Sequence, residues 1–398
     1  MALILSDAGL HRHLLPLTYT RPVAALRPGI LTLADTWWRM TELPVAYRTE
    51  DYLSNKFPMR QAGVAREVRG SLLPVPDLVS AVLDLEPGEA LVREGRTLAT
   101  CGPGQDGPSE LDWATAPTYL KHREYNGELV EFERPWHLFQ HCGRALVNDV
   151  ALLTEGRRSE PISALNTIIG DPGLIFLEPG ARVEASVLNT SAGPIYIGKE
   201  AEVMEGCLIR GPFALGEHAQ LKMGAKIYGP TTIGPYCKVG GEVSNSVFHG
   251  FSNKGHDGFV GNSVIGEWCN LGADTNTSNL KNNYGEVKVW SLAEGHPVGT
   301  DTLFVGTLMG DHCRTGINTM LNTGTVVGVG ANVFGASFPP KHIPSFSWGG
   351  AQGLTEYRLD KAFEDFDRMM IRRGQHLGHA DKELLEQIFR TTAALRDP

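Results

Sequence analysis

This chain has no cysteine pair at CxxC spacing; its cysteines, Cys101, Cys142, Cys207, Cys237, Cys269 and Cys313, are scattered. That excludes a zinc ribbon or a dithiol redox site and leaves free structural thiols in a reducing cytoplasm as the reading. Basic charge is not in excess either. With 36 Lys and Arg against 45 Asp and Glu, the net charge is −9, so nucleic acid is not the expected partner. A local cluster of cations can still hold an anionic metabolite on such a protein. No unbroken apolar run approaches the length that spans a bilayer, so no membrane partner is expected. The opening Met1-Ala2-Leu3-Ile4-Leu5 has no basic stretch before it and no small-residue cleavage pattern; it reads as a first strand rather than a targeting signal.

What the chain does have is a ladder. Ile197, Val203, Ile209, Leu215, Leu221, Ile227, Ile233 and Val239 recur at a strict six-residue spacing, and Gly198, Gly216 and Gly234 recur at eighteen. One strand and one corner per six residues, three units per coil, predicts a parallel β-helix with an aliphatic interior. The register returns at Phe259, Ile265 and Leu271 and again at Leu303, Met309, Thr315, Leu321, Val327 and Val333, with a weaker start at Leu177 and Val183. The stretches 244–258 and 279–302 break it and are expected to be outward loops, which is where function gathers on a solenoid.

At 398 residues there is room for two domains or more. Residues 1–155 mix strands and helices and predict an α/β domain: Asp35 caps a helix through Trp37, Trp38 and Met40, a hairpin turns at Glu94-Gly95-Arg96, and a helix follows Pro135. Residues 156–171 read as a linker and 172–345 as the β-helix, closed by the segment from Pro339 to Pro344, which is expected to end the ladder. In 346–398, Leu359, Ala362, Phe363, Phe366, Met369 and Met370, then Leu384, Leu385, Ile388 and Phe389, fall at helical spacing with Gly374 between the groups.

Two segments carry the chemistry. The first is Gly255-His256-Asp257-Gly258-Phe259-Val260-Gly261, and the second is Asn270-Leu271-Gly272-Ala273-Asp274, continuing to Asn279. Together they resemble the acetyltransferase half of the bifunctional N-acetylglucosamine-1-phosphate uridylyltransferase/glucosamine-1-phosphate N-acetyltransferases. That family carries a Gly-His segment with an aromatic residue three positions on, then an Asn-x-Gly-Ala-Gly turn on the next coil. The resemblance spans residues 172–345. It implies a left-handed β-helix, acetyl-CoA as acyl donor, and a homotrimer with its sites between subunits. It further implies His256 as general base, Asn270 and Phe259 at the sugar, and Ala273, Asn279 and Thr307 along the coenzyme A arm. The chemistry suits the residue type. Acyl transfer to an amine needs the neutral amine, an imidazole titrates at roughly 6.5, and a positioned base is worth on the order of 10²–10⁴-fold. Lys281, Lys288 and Arg314 are further cations that could meet phosphates, with a solvated role as the bland alternative. Asp274 replaces the family's second Gly, Phe259 its Tyr, and Ser244 stands where a Lys often binds the sugar phosphate.

Near the start, the run from Gly9-Leu10-His11-Arg12 through Pro16-Leu17-Thr18 to Arg21-Pro22 resembles the opening of sugar-1-phosphate nucleotidyltransferases, in a divergent, Bacteroidetes-type branch of the bifunctional proteins. The resemblance implies a glycine loop that wraps nucleotide phosphates, with Gly9, Arg12 and Arg21 as the candidate contacts and Mg2+ as the ion. No magnesium-binding Asp is assignable from the sequence, and His11, Arg12 and His13 stand where the family has Gly, Thr and Arg. The expected protein is a cytoplasmic transferase acting on a sugar phosphate, a nucleoside triphosphate and acetyl-CoA. Alternatives are an acetyltransferase with an inactive first domain, a non-catalytic assembly subunit, and a trimeric zinc hydratase built on His249, His256 and His312.

Overall fold

Inward aliphatics at a fixed spacing can be buried only if successive coils stack, and they do. The computed structural model describes residues 2–59, 63–102 and 111–396. Three parallel sheets of nine, six and five strands form the walls of a β-helix. Ile197 pairs with Leu215 and Leu215 with Ile233, while Val203 pairs with Leu221 and Leu221 with Val239. All the residues of the long ladder lie in one buried core. Each such side chain contributes about 1.5–3 kcal/mol by leaving water. The glycine period is steric: a Cβ on Gly198 or on Gly216 would sit 2.7 Å from the carbonyl carbon of the glycine one coil on.

The first expected break is not a loop. Residues 244–258 contain the strands Val247–Gly250 and Asn253–Lys254, paired in register with the coil before. Ile233 pairs with Phe248, an offset of 15 (248 − 233) rather than 18. The corners have shortened while the walls continue, so a fixed-period reading mistook a shorter coil for an insertion. The same slip moves the inward position from Phe259 to Val260, which is in the core and pairs with Val243. Leu303, 43% exposed, is likewise outside the ladder.

The second break does project: Lys288–Ser291 and His296–Gly299 form an antiparallel hairpin. The coil also runs past its expected end. His342–Ile343 pairs with Val326 and Val327, and Ser347–Gly350 continues another wall before turning back as a hairpin with Gly353–Glu356. Prolines are tolerated beside His342–Ile343 because that strand is the last of its sheet and owes no bond to a further coil. The tail forms helices Leu359–Ile371 and His379–Thr391, with Gly374 between them at φ +68°.

The chain divides into two units: residues 1–27 with 31–134, and residues 28–30 with 135–398. This division falls at Arg134/Pro135, ahead of the boundary expected near 155. The helix Cys142–Thr154 belongs to the second unit, where Ala145 and Asp149 abut Gly29, whose carbonyl accepts from Thr232 Oγ1 at 3.1 Å. The expected linker also shrinks, since Thr167–Ile169 already pairs with the strand Val187–Asn189. In the first unit one six-stranded sheet carries Ala2–Ser6 between Val45–Arg48 and Ala65–Arg69, all parallel. Glu89–Arg93 and Arg96–Gly102 make the expected hairpin. Helices Leu33–Thr41 and Pro76–Leu83 pack Ala34, Trp37, Leu78 and Val82 into one core with Leu3, Leu5 and Val68. The cap of the first helix is Thr32, and Asp35 completes a reciprocal capping box. All six cysteines are buried and free, and no described helix is long and apolar enough to cross a membrane.

One ladder position is occupied by a cation. Lys254, 1% exposed, pairs with Val239. Burial depresses its pKa from the ordinary 10.5 to about 8, against the opposing pull of Asp257 and Asp274. Between those values the folded state sheds the proton while the unfolded chain keeps it. Stability therefore rises as pH passes from 8 to 10.5, by up to about 3 kcal/mol. Chemical denaturation at several pH values should show this rise in the wild type and its loss in Lys254→Met; equal slopes would contradict the assignment.

Candidate functional site

Two consecutive corners of the β-helix place the predicted residues. His256 follows the strand Asn253–Lys254, and Ala273 occupies the equivalent turn one coil on. The turns are tied by Asp274 N donating to Asp257 O at 3.0 Å. Asp274 adopts φ +57°, so the left-handed position that the resembled family gives to Gly is filled by a residue type that tolerates it. His256, Asn270 and Ala273 all line one cleft of about 770 Å3.

Phe251 and Trp268 form one wall of that cleft. They extend a column of rings, His218, Tyr236, Phe251 and Trp268, with successive centroids 4.8, 4.9 and 4.3 Å apart. The opposite wall is the helix Leu359–Ile371 and the residues after it, which supply Asp365, Arg368, Met369, Arg372 and Arg373. Arg373 Nη2 donates to Asn253 Oδ1 at 2.8 Å. Arg314 reaches the helix from the coil: its Nη2 donates to Asp365 O at 2.7 Å, and its guanidinium lies 5.6 Å over Phe366. The tail helix is thus a wall of the site as well as a cover for the coil.

The lining is strongly cationic. Lys222, Lys238, Arg314, Arg368, Arg372 and Arg373 face a single carboxylate, Asp365. Burial lowers the pKa of Lys238, and the neighbouring Arg373, Lys222 and Arg372 lower it further. Burial likewise lowers that of Arg373, with Arg372 adding to the effect. Positive groups held close enough to disfavour each other's charge are relieved by an anion. Sequence reasoning missed Lys222, Lys238, Arg368, Arg372 and Arg373, because the cluster forms only when the tail helix lies along the coil. Of the sequence-predicted cations only Arg314 reaches this cleft, where it anchors the helix. Lys281 donates to Glu286 O at the base of the projecting hairpin, and Lys288 lies on that hairpin.

Three expected contacts lie elsewhere. Phe259 and Asn279 do not line the cleft; they meet each other at Gly261, where a Cβ would touch both the Phe259 ring and the Asn279 amide. Thr307 is fully buried inside the coil. It ends an internal run of hydroxyls: Thr231 Oγ1 accepts from Ser246 N, Ser246 Oγ from Ser263 N, and Ser263 Oγ from Thr307 N. Its side chain is closed off within this subunit. Of the zinc candidates, His249 is buried and His312 is stacked on Phe366 at 4.6 Å, while His256 is exposed; among the described residues of this single chain no His, Cys, Asp and Glu group is arranged to hold a metal.

In the first unit, Gly9 turns at φ +78° directly after the strand Ala2–Ser6, between the two strands that flank it. A crevice at such a point is where open α/β sheets take ligands. The loop is braced from inside: Asp7 accepts from Val23 N at 2.8 Å, Thr49 Oγ1 at 2.5 Å and His11 Nδ1 at 3.0 Å, and His11 Nε2 meets Tyr52 Oη at 3.0 Å. Arg12 is exposed, whereas Arg21 is buried and bonds Thr20. The structure therefore brings Gly9 and Arg12 to the loop surface and withdraws Arg21.

Comparison with known proteins bears on both units. Residues 3–158 match the family described as sugar nucleotidyl transferase. A bifunctional sugar-1-phosphate nucleotidylyltransferase/acetyltransferase of Sulfurisphaera tokodaii is 31% identical over 217 residues, 54% of this chain and 47% of that protein. The bifunctional protein GlmU of Methanococcus maripaludis is 32% identical over 95 residues, 23% of this chain and 22% of its own. The chain thus spans less than half the length of these curated relatives. Among solved structures, the UDP-N-acetylglucosamine acyltransferase of Campylobacter jejuni is 12% identical, with a TM-score of 0.27 over 59% of this chain and 95% of its own. The β-helix assignment rests on the strand register above and not on that superposition. The chain is thus similar, over part of their length, to bifunctional sugar-1-phosphate nucleotidyltransferase/acetyltransferases, with a segment matching the sugar nucleotidyl transferase model ahead of a parallel β-helix.

Proposed function

We propose that this protein is a transferase of nucleotide-sugar synthesis, acetylating an amino-sugar 1-phosphate at the cationic cleft and coupling a sugar 1-phosphate to a nucleotide in the first unit. The observation that carries the acetyl-transfer half is the convergence of His256, Asn270 and Ala273 with six cationic side chains on one cleft. Acetyl-CoA and a sugar phosphate are both polyanions, and a cleft of this charge draws them in. The amine nitrogen attacks the thioester carbonyl carbon, and His256 takes the proton that the nitrogen loses. Collapse of the tetrahedral intermediate breaks the C–S bond, and the proton passes from the imidazolium to the departing thiolate. In this reading Asn270 holds the sugar and Ala273 leaves room for the pantetheine chain, which their place in the cleft lining supports. Phe259 and Asn279 join such a site only if another subunit lays its cleft against their face, as a homotrimer would. Light scattering should then give three times the 43.3 kDa chain mass.

In the first unit Gly9 and Arg12 would meet the phosphates, with Mg2+ offsetting their charge. A second reading, acetyl transfer alone, is favoured by the internal bracing of Asp7 and the burial of Arg21. Pyrophosphate release decides between them. The bifunctional reading expects Mg2+-dependent release from a sugar 1-phosphate with UTP or dTTP; no turnover with either leaves acetyl transfer as the single activity.

Thiol release from acetyl-CoA with glucosamine 1-phosphate tests the base. His256→Ala should lower kcat by about 10²–10⁴-fold, and a rate equal to wild type would remove the assignment. The paired substitution Arg372→Ala and Arg373→Ala should raise KM about tenfold or more at low salt, with the difference shrinking as ionic strength rises. A KM that is indifferent to these changes would mean that anions bind elsewhere.

A further inference from the structure

Four apolar residues, Val183, Val203, Leu221 and Val239, stack coil on coil along one inner column, and the next place is taken by Lys254. The space for it is made by glycines. Leu221 pairs with Val239 at an offset of 18 (239 − 221), but Lys226 pairs with Glu242 at 16 (242 − 226), so the corner Gly240-Gly241 is two residues short. A Cβ on Gly241 would lie 2.8 Å from Lys254 Nζ. Into that space the ammonium donates two hydrogen bonds of 2.9 Å, to Gly240 O and to His256 O. Asp257 on its own corner and Asp274 on the next coil are the acidic groups whose charge acts on it.

A methionine or leucine would fill this column without taking a charge out of water, and replacing a buried charge with a hydrophobic side chain is often neutral or stabilising. The cation is therefore a poor choice for stability alone. Its distinctive effect is to grip the backbone of the one residue whose imidazole stands exposed in the cleft. We propose that Lys254 is a positioning residue for acyl transfer, fixing the His256 backbone from inside the coil so that the imidazole is presented to the acceptor amine; this rests on the role proposed for His256. A displacement of about 1 Å at such a base costs on the order of a hundredfold in rate.

A double-mutant cycle on the full-length protein, with acetyl-CoA and glucosamine 1-phosphate, tests it. Lys254→Met should melt at or above the wild-type temperature at pH 7, while kcat falls ten- to a hundredfold and KM for acetyl-CoA stays within twofold. In the His256→Ala background, Lys254→Met should have no further effect. A wild-type kcat in Lys254→Met, or an equal loss in both backgrounds, overturns the proposal. Histidine-labelled NMR spectra give a readout independent of turnover. With the His256 signal assigned by its loss in His256→Ala, Lys254→Met should shift or broaden that signal, and an unmoved resonance overturns the positioning role. If His256→Ala keeps full activity, the base assignment fails, and the spectra alone still judge what Lys254 does to the corner.

Discussion

The whole second unit depends on the backbone bonds between one coil and the next. A strand of two or three residues has no stability of its own; it exists because the coils below and above supply its partners. Every strand is therefore held to the register of its neighbours, and each inward side chain must fit the one beneath it. The constraint acts on the walls and leaves the corners free. Corner length varies where the offset drops from 18 to 15 and 16, and the chemically useful residues sit on corners.

That division decides what could be read from sequence. The run from Ile197 to Val239 was legible because both its walls and its corners are regular. Past Val239 the walls persist but the corners shorten, and a fixed period lost the strands Val247–Gly250 and Asn253–Lys254. Lys254 hid for a related reason: a lysine does not signal an inward ladder position, although pairing with Val239 puts it there. The insertion at 279–302, though not the hairpin it forms, and the two tail helices were legible, since an insertion and a change of period mark themselves.

The site was half legible. His256, Asn270 and Ala273 were found through neighbours in sequence that lie on adjacent coils, and they line one cleft. Thr307 carried the same kind of signal, but strand alternation with Met309 buries its side chain inside the coil. The cations were missed because Lys222 and Lys238 come from earlier coils and Arg372 and Arg373 from the tail, more than a hundred residues apart in the chain. Long-range convergence leaves no local pattern. In the first unit the glycine turn was legible, whereas the bracing of Asp7 by Val23, Thr49 and His11 depends on chain folding back on itself.

The tail helix that walls the cleft has a consequence for how such a protein can change. A coil residue is templated on two sides, so a substitution there is answered by its neighbours and few are tolerated. The helix Leu359–Ile371 is held to the coil by a handful of contacts, Arg314 with Asp365 and Arg373 with Asn253 among them, and between these its cleft-facing positions are unconstrained by any ladder. The lining of the cleft is thereby separated from architecture: the coil wall stays fixed while one amphipathic segment drifts. A cleft built this way can be re-lined by editing a single helical face, without retuning the solenoid that forms its other wall.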